Sequence, residues 1–160
     1  MQFSENSRVW IYQSNRELTD IEVSQLQAQL NQFTAAWTAH NNQLKASAEI
    51  RYSRFIILIV DESQAGASGC SIDKSVNFMK LLEQQYGIQL FDRFNIAYRE
   101  GSRILSANRN EFEELVRQGK VDVNTIVFNN LAQTLQELNT RWEVPFSHSW
   151  HMQLFGSLLA

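Results

Sequence analysis

Cys70 is the one cysteine in the chain. It stands in Ala67-Ser68-Gly69-Cys70-Ser71-Ile72-Asp73, where small residues lead into a helical pattern. The free amides and positive dipole end at a helix start stabilise a thiolate. The same amides, with the hydroxyls of Ser68 and Ser71, could instead hold an anion. Two plainer roles compete. A free cysteine packs as a small hydrophobe, and Ser71 or Asp73 can do no more than cap the helix. A thiol nucleophile needs a base, and His40, His148 and His151 are all distant from it in sequence. His148 and His151 are three residues apart without a partner cysteine or a conventional third ligand. That spacing points to surface or end-capping histidines and not to a metal site. No cofactor is expected.

A second constellation depends on topology. Ser14, Asn15 and Arg16 follow the first predicted strand, and Asp61 and Glu62 follow the second. If the two strands run parallel, both groups finish at one sheet edge, beside Ser68, Gly69, Ser71 and Asp73. The carboxyl edge of a parallel sheet is where α/β proteins usually place ligands. The leading expectation is therefore a binding module for a small anionic ligand or a partner protein, acting through residues 61–73. The rival is a Cys70 thiol-dependent enzyme or redox sensor. Both stand against the reading that these are solvated loops.

The elements that must position these residues follow from periodicity and caps. Residues 8–13 are rich in strand formers. Thr19 and Glu22 form a capping box, and Val23, Leu26, Leu30, Phe33 and Trp37 recur at helical spacing behind it. Residues 49–60 read as one strand; Phe55-Ile56-Ile57-Leu58-Ile59-Val60 is apolar on both faces and predicts a central strand covered on both sides. A helix carrying Ile72, Val76, Met79, Leu82 and Tyr86 closes at Gly87. Glu100-Gly101-Ser102 marks a hairpin. Asn108 and Glu111 cap a short helix, and residues 125–128 form the last strand. Leu131, Leu135, Leu138 and Trp142 mark a fourth helix, stopped by Pro145. A short final helix carries Trp150 and Leu154. Trp10, Trp37 and Trp142 fall on core positions, whereas Trp150 is a candidate anchor for a partner.

The order β-α-β-α-β-β-α-β-α predicts an α/β domain, with a mixed α+β arrangement as the alternative: a single mixed sheet of about five strands with helices packed on it. A right-handed crossover would join the first two strands in parallel. The 160 residues suit a single domain, with 44% hydrophobic and 19% charged residues giving a globular balance. A net charge of −3 speaks against nucleic-acid binding, which needs clustered Lys and Arg. Arg93, Arg99, Arg103 and Arg109 are interrupted by Asp92, Glu100 and Glu111. The apolar run 55–60 is too short to span a bilayer. Residues 1–9 are polar and lack the character of a signal peptide. Together with the absence of a possible internal disulfide, these features predict a cytoplasmic protein.

Val9-Trp10-Ile11-Tyr12-Gln13-Ser14-Asn15-Arg16, Ser68-Gly69-Cys70-Ser71-Ile72-Asp73, Trp142-Glu143-Val144-Pro145-Phe146 and Ser149-Trp150-His151 resemble segments of a family of small uncharacterised proteins from Bacteroidetes. The likeness runs over nearly the whole chain, and members often carry the label ABC transporter ATPase. A phosphate-binding loop needs Gly-x-x-x-x-Gly-Lys-Ser/Thr so that backbone amides can close around phosphates. Here Lys74-Ser75 is preceded by Asp73 in place of the second glycine, with Ser68 in place of the first. The apolar strand ending in Asp61-Glu62 resembles the magnesium-holding strand of such ATPases, but it precedes the would-be loop instead of following it. The residues therefore predict no ATP hydrolysis.

Overall fold

The computed structural model describes residues 2–159. Strand β1 (Arg8–Gln13) leads to α1 (Asp20–Ala36), a two-residue pair β2 (Thr38–Ala39) and β3 (Asn42–Gln43), then β4 (Lys45–Arg51), β5 (Phe55–Asp61) and α2 (Gly69–Tyr86). The second half holds β6 (Ile96–Glu100), β7 (Arg103–Ala107), α3 (Arg109–Arg117), β8 (Ile126–Phe128), α4 (Leu135–Arg141), β9 (Glu143–Pro145) and α5 (His151–Phe155).

The expected single sheet is replaced by separate antiparallel sheets, ordered β1-β5-β4 and β7-β6-β8-β9, with β2-β3 as a small third. Residues 49–60 are not one strand. The chain reverses at Tyr52 and Ser53, whose φ angles are 56° and 53°. The backbone N–H of Arg54 donates to the carbonyl of Arg51 at 3.1 Å across that turn. Consequently β4 and β5 form a hairpin, and β1 pairs with β5 antiparallel, Arg8 opposite Val60 and Gln13 opposite Phe55. β4, reached through α1, does run parallel to β1, but β5 lies between them, so the strand that pairs with β1 and leads to Asp61 is antiparallel to it. A short strand, β9, also follows the helix that was expected to come after the last strand.

The two-faced burial of the apolar run is observed: all seven residues of β5 are buried, and β5 is the middle strand of its sheet. Alternation sets what each face touches. Ile56, Leu58 and Val60 pack with Leu26, Leu30, Trp37, Met79 and Leu82 of the α1–α2 layer. Phe55, Ile57 and Ile59 pack with Val9, Ala97, Phe128, Leu138 and Trp142. The opposite face of the second sheet, through Ile96, Tyr98 and Val127, meets Phe112, Val116 and Phe155. The result is four layers: α1 and α2, the first sheet, the second sheet, then α3 and α5.

Caps follow the sequence closely. Thr19–Glu22 and Asn108–Glu111 are both complete capping boxes, and Gly87 is left-handed at the end of α2. The buried stripe of α2 begins with Ser71 and Ser75, whereas Ile72 and Val76 are half-buried. Small side chains there allow close approach: the Trp37 indole donates to the Ser71 carbonyl at 2.9 Å.

Candidate functional site

The residues singled out in the sequence do not converge. Antiparallel pairing sends Ser14 and Asp61 to opposite ends of the first sheet, about 20 Å apart at the usual rise per strand residue. Arg16 lies at the far end of α2 from Ser71. Its guanidinium forks onto the Glu22 carboxylate at 2.8 and 2.7 Å and donates to the Tyr86 carbonyl at 2.6 Å. Glu22 is held down to about 2 chiefly by that Arg16 bond, and also by the Thr19 amide. Asn15 exchanges bonds with the backbone of Gln89, its side-chain oxygen accepting at 2.9 Å. Ser14 is fully buried, and its hydroxyl accepts the Arg16 amide at 3.2 Å. These three residues join the end of β1 to one end of the helix layer, where α1 starts and α2 finishes.

The loop after β5 carries its own anions. Asp61 accepts the Ser63 amide at 3.0 Å and the Ser4 amide at 3.2 Å, and pairs with Lys45 at 3.4 Å. Bonds from Ser63, then the Ser4 amide, hold its carboxyl well below the usual range. Glu62 turns back into the loop, where it accepts the Ala67 amide at 2.8 Å. The Ser68 hydroxyl takes the Ser71 amide at 3.1 Å, and the Ser71 hydroxyl takes the Ser68 amide at 2.7 Å. Glu62 thus takes the Ala67 amide, and Ser68 and Ser71 satisfy each other. Gly69, Cys70 and Asp73 are exposed at the start of α2. Ser68 and Ser71 serve as the capping box, which is the plainer of the two roles read for them.

A different place gathers polar groups in an apolar wall. Where β1 meets the second sheet, a cleft of about 490 Å³ is lined by Ile11, Gln13, Phe91, Phe94, Leu131 and Leu154, among others. Its floor is a chain of amides. Gln13 donates to the Asn95 carbonyl at 2.6 Å and accepts from the Asn130 side chain at 2.8 Å. Asn130 in turn accepts the Trp142 indole N–H at 2.9 Å. Each link satisfies a polar group that the packed sheets remove from water.

The wall opposite is formed by α5 and the residues just before it. Pro145 and the 3-10 turn Phe146–His148 redirect the chain after β9. The Ser149 hydroxyl then accepts the His151 amide at 3.1 Å and meets the ring Nδ1 at 2.9 Å. Trp150 and His151 both line the cleft, their rings stacked. His151 is 2% exposed, so the expectation of a surface histidine is corrected; a five-residue helix is too short to show its buried face by periodicity. Burial lowers its pKa to about 4, leaving a neutral imidazole at neutral pH. His148 is exposed as expected.

Trp150 is the exception in this well-bonded region. Its indole Nε1 is buried and has no hydrogen-bond partner, one of two such side-chain atoms among the described residues, with Ser7 Oγ. Sequence reasoning marked Trp150 as an anchor but had no signal for the orphaned donor, because the positions of all potential acceptors are set by tertiary packing. No group of three metal-ligating side chains is found among the described residues. No helix there is long and apolar enough to cross a membrane. Comparison with protein-family models, curated proteins and solved structures gives no match.

Proposed function

We propose that this chain is a binding protein for a small, largely apolar molecule, and that the site is the cleft between the sheets. The observation that carries this is the cleft itself, an apolar wall over a floor of hydrogen-bonded amides. A buried donor left unmade costs about 1–3 kcal/mol, and native structures carry few of them. The Trp150 N–H beside the cleft is such a donor, and it has no surface open to the cleft unless the side chain shifts. The cleft volume of about 490 Å³ lies in the range of small-molecule sites, which combine apolar walls with a few placed polar groups. The binding role expected from the sequence is kept, and its place moves from residues 61–73 to this cleft. What speaks against a phosphate loop is that Glu62 already holds the Ala67 amide and that Ser68 and Ser71 bond each other. Kinship with the Bacteroidetes family remains a part of the same proposal and brings no activity with it.

The test uses Prodan, a neutral naphthyl ketone whose emission shifts to the blue in apolar surroundings. The expected result is saturable one-site binding with blue-shifted emission. Leu154→Asp sets a charge in the apolar wall and should weaken binding about fivefold or more. Absence of saturable binding to the native protein would overturn the reading, as would a Leu154→Asp variant of unchanged affinity.

A second reading rests on Cys70, whose side chain is exposed at the second residue of α2. Solvent access is one requirement of a reactive thiol, and the structure meets that one. A base for it is the missing part: of the three histidines, His151 is buried in the cleft wall and engaged with Ser149.

A further inference from the structure

The ionisable side chains lining the cleft are Tyr12, Asp92, Arg93 and His151. Two of them are neutral at pH 7: burial raises Tyr12 above its ordinary value and lowers His151 to about 4. Asp92 is turned to its own backbone, accepting the Phe94 amide at 2.9 Å. Arg93 is different. It is exposed, it borders both the cleft and the adjoining groove along β1, and it has no ion pair or hydrogen bond among the described residues. Arg16 and Arg99, by contrast, are each committed to a glutamate at 2.7 Å. The mouth of an apolar cleft therefore carries a free, always-charged fork of donors, while the wall carries a buried indole donor. Of the two, Arg93 is the one open to a ligand, and it asks for negative charge.

Building on the cleft-binding reading, we propose that the ligand is an amphipathic carboxylate: an apolar body held between Phe91, Phe94, Leu131 and Leu154, with its carboxylate taken by Arg93. Guanidinium and carboxylate match in geometry, and their charge-assisted bonds are roughly twice as strong as neutral ones. An amphipathic amine is disfavoured, because its head would meet Arg93 and find only Asp92 to pair with.

The test compares 2-naphthoate with its neutral isostere 2-naphthamide by calorimetry on the native protein. The acid should bind about tenfold more tightly than the amide, the factor set by one charge-assisted contact. Raising salt should weaken the acid and leave the amide unchanged. Arg93→Gln should bring the two affinities together without altering that of the amide. Equal affinities in the native protein, or a preference untouched by Arg93→Gln, would overturn the carboxylate assignment. If Prodan still binds in that case, the cleft reading stands alone; if Prodan also fails to bind, both fall. Capture of an apolar peptide instead of either naphthyl compound would likewise overturn the assignment and make the cleft a protein-docking site.

Discussion

Trp150 lies over His151 with ring centroids 3.9 Å apart and planes 26° from parallel. The other side of the imidazole approaches Phe112, at 6.2 Å between centroids. Two aromatic residues thus shut water from a basic ring, and that desolvation, not a neighbouring charge, is what depresses its pKa. The same stack ties the protonation of His151 to the position of the Trp150 donor.

Acid should therefore loosen this corner before the carboxylates titrate. An unfolded histidine titrates near 6.5 and the folded one near 4. Between those values the unfolded chain binds more protons, so unfolding free energy is full above about pH 6.5 and falls as pH drops toward 4. The loss reaches at most about 3 kcal/mol. Glu22, moved from 4.5 to about 2, contributes only at lower pH. Urea titrations at a series of pH values between 7.5 and 4.5 should show this slope in the native protein. His151→Phe should flatten it, and parallel curves for the two proteins would contradict the burial.

The two tryptophans that flank the sheet interface should respond unequally to loss of their N–H. Trp142→Phe removes the bond to Asn130 at 2.9 Å and leaves that amide oxygen unpaired inside the protein. Trp150→Phe removes a donor that had no partner. Each change also deletes ring volume, and the loss is larger at buried Trp142 than at half-buried Trp150, so packing and hydrogen bond act in the same direction. The Trp142 variant should be the less stable of the two by about 1 kcal/mol or more, read as the difference in denaturation midpoints. Equal midpoints would mean that Trp150 has an acceptor after all.

Cys70 should label with iodoacetamide in the native state without denaturant, because its side chain is exposed. Cys70→Ser should change stability by less than about 0.5 kcal/mol, as for surface positions generally. It should leave Prodan binding intact, since Cys70 is not among the residues lining the cleft. A thiol that reacts only after unfolding would end the second functional reading.

Tyr52 should be worth more than its position in a turn suggests. Its ring stacks with Trp142 at 5.9 Å, lies under the Arg99 guanidinium at 4.9 Å, and its hydroxyl donates to Glu143 at 2.6 Å. A tyrosine at φ 56° carries a backbone cost of about 1–2 kcal/mol. Tyr52→Gly relieves that cost and removes all three contacts. Net destabilisation is expected, and an increase in thermal midpoint would show that the contacts add nothing.

The parts of the fold that were legible are those fixed by neighbours in sequence. Thr19 with Glu22, Asn108 with Glu111, and the glycines at 87 and 101 each carry their own local chemistry, and each appears where read. The β4–β5 reversal was not legible. Tyr-Ser offers neither glycine nor asparagine, and the partners that hold it, Trp142 and Glu143, lie about ninety residues away in sequence. Missing that one turn made two strands into one and inverted the expected pairing with β1. The error then travelled to the site, because Ser14 and Asp61 could share an edge only if those strands were parallel. Local roles survived it: Ser68 and Ser71 do cap α2. The cleft was out of reach, since its walls come from β1, the segment after α2, and α5, and only folding brings them together.

The Tyr52 turn also bears on how the chain melts. Alone, the β4–β5 hairpin would have to hold two left-handed residues without compensation, and the second sheet would lack the tyrosine that covers Trp142. Each sheet supplies what the other requires at this one contact, with Arg54 adding a bond from the same turn to Ser106 at 3.0 Å. Unfolding of either half removes support from the other at this turn, which couples the two sheets although no strand pairs across them.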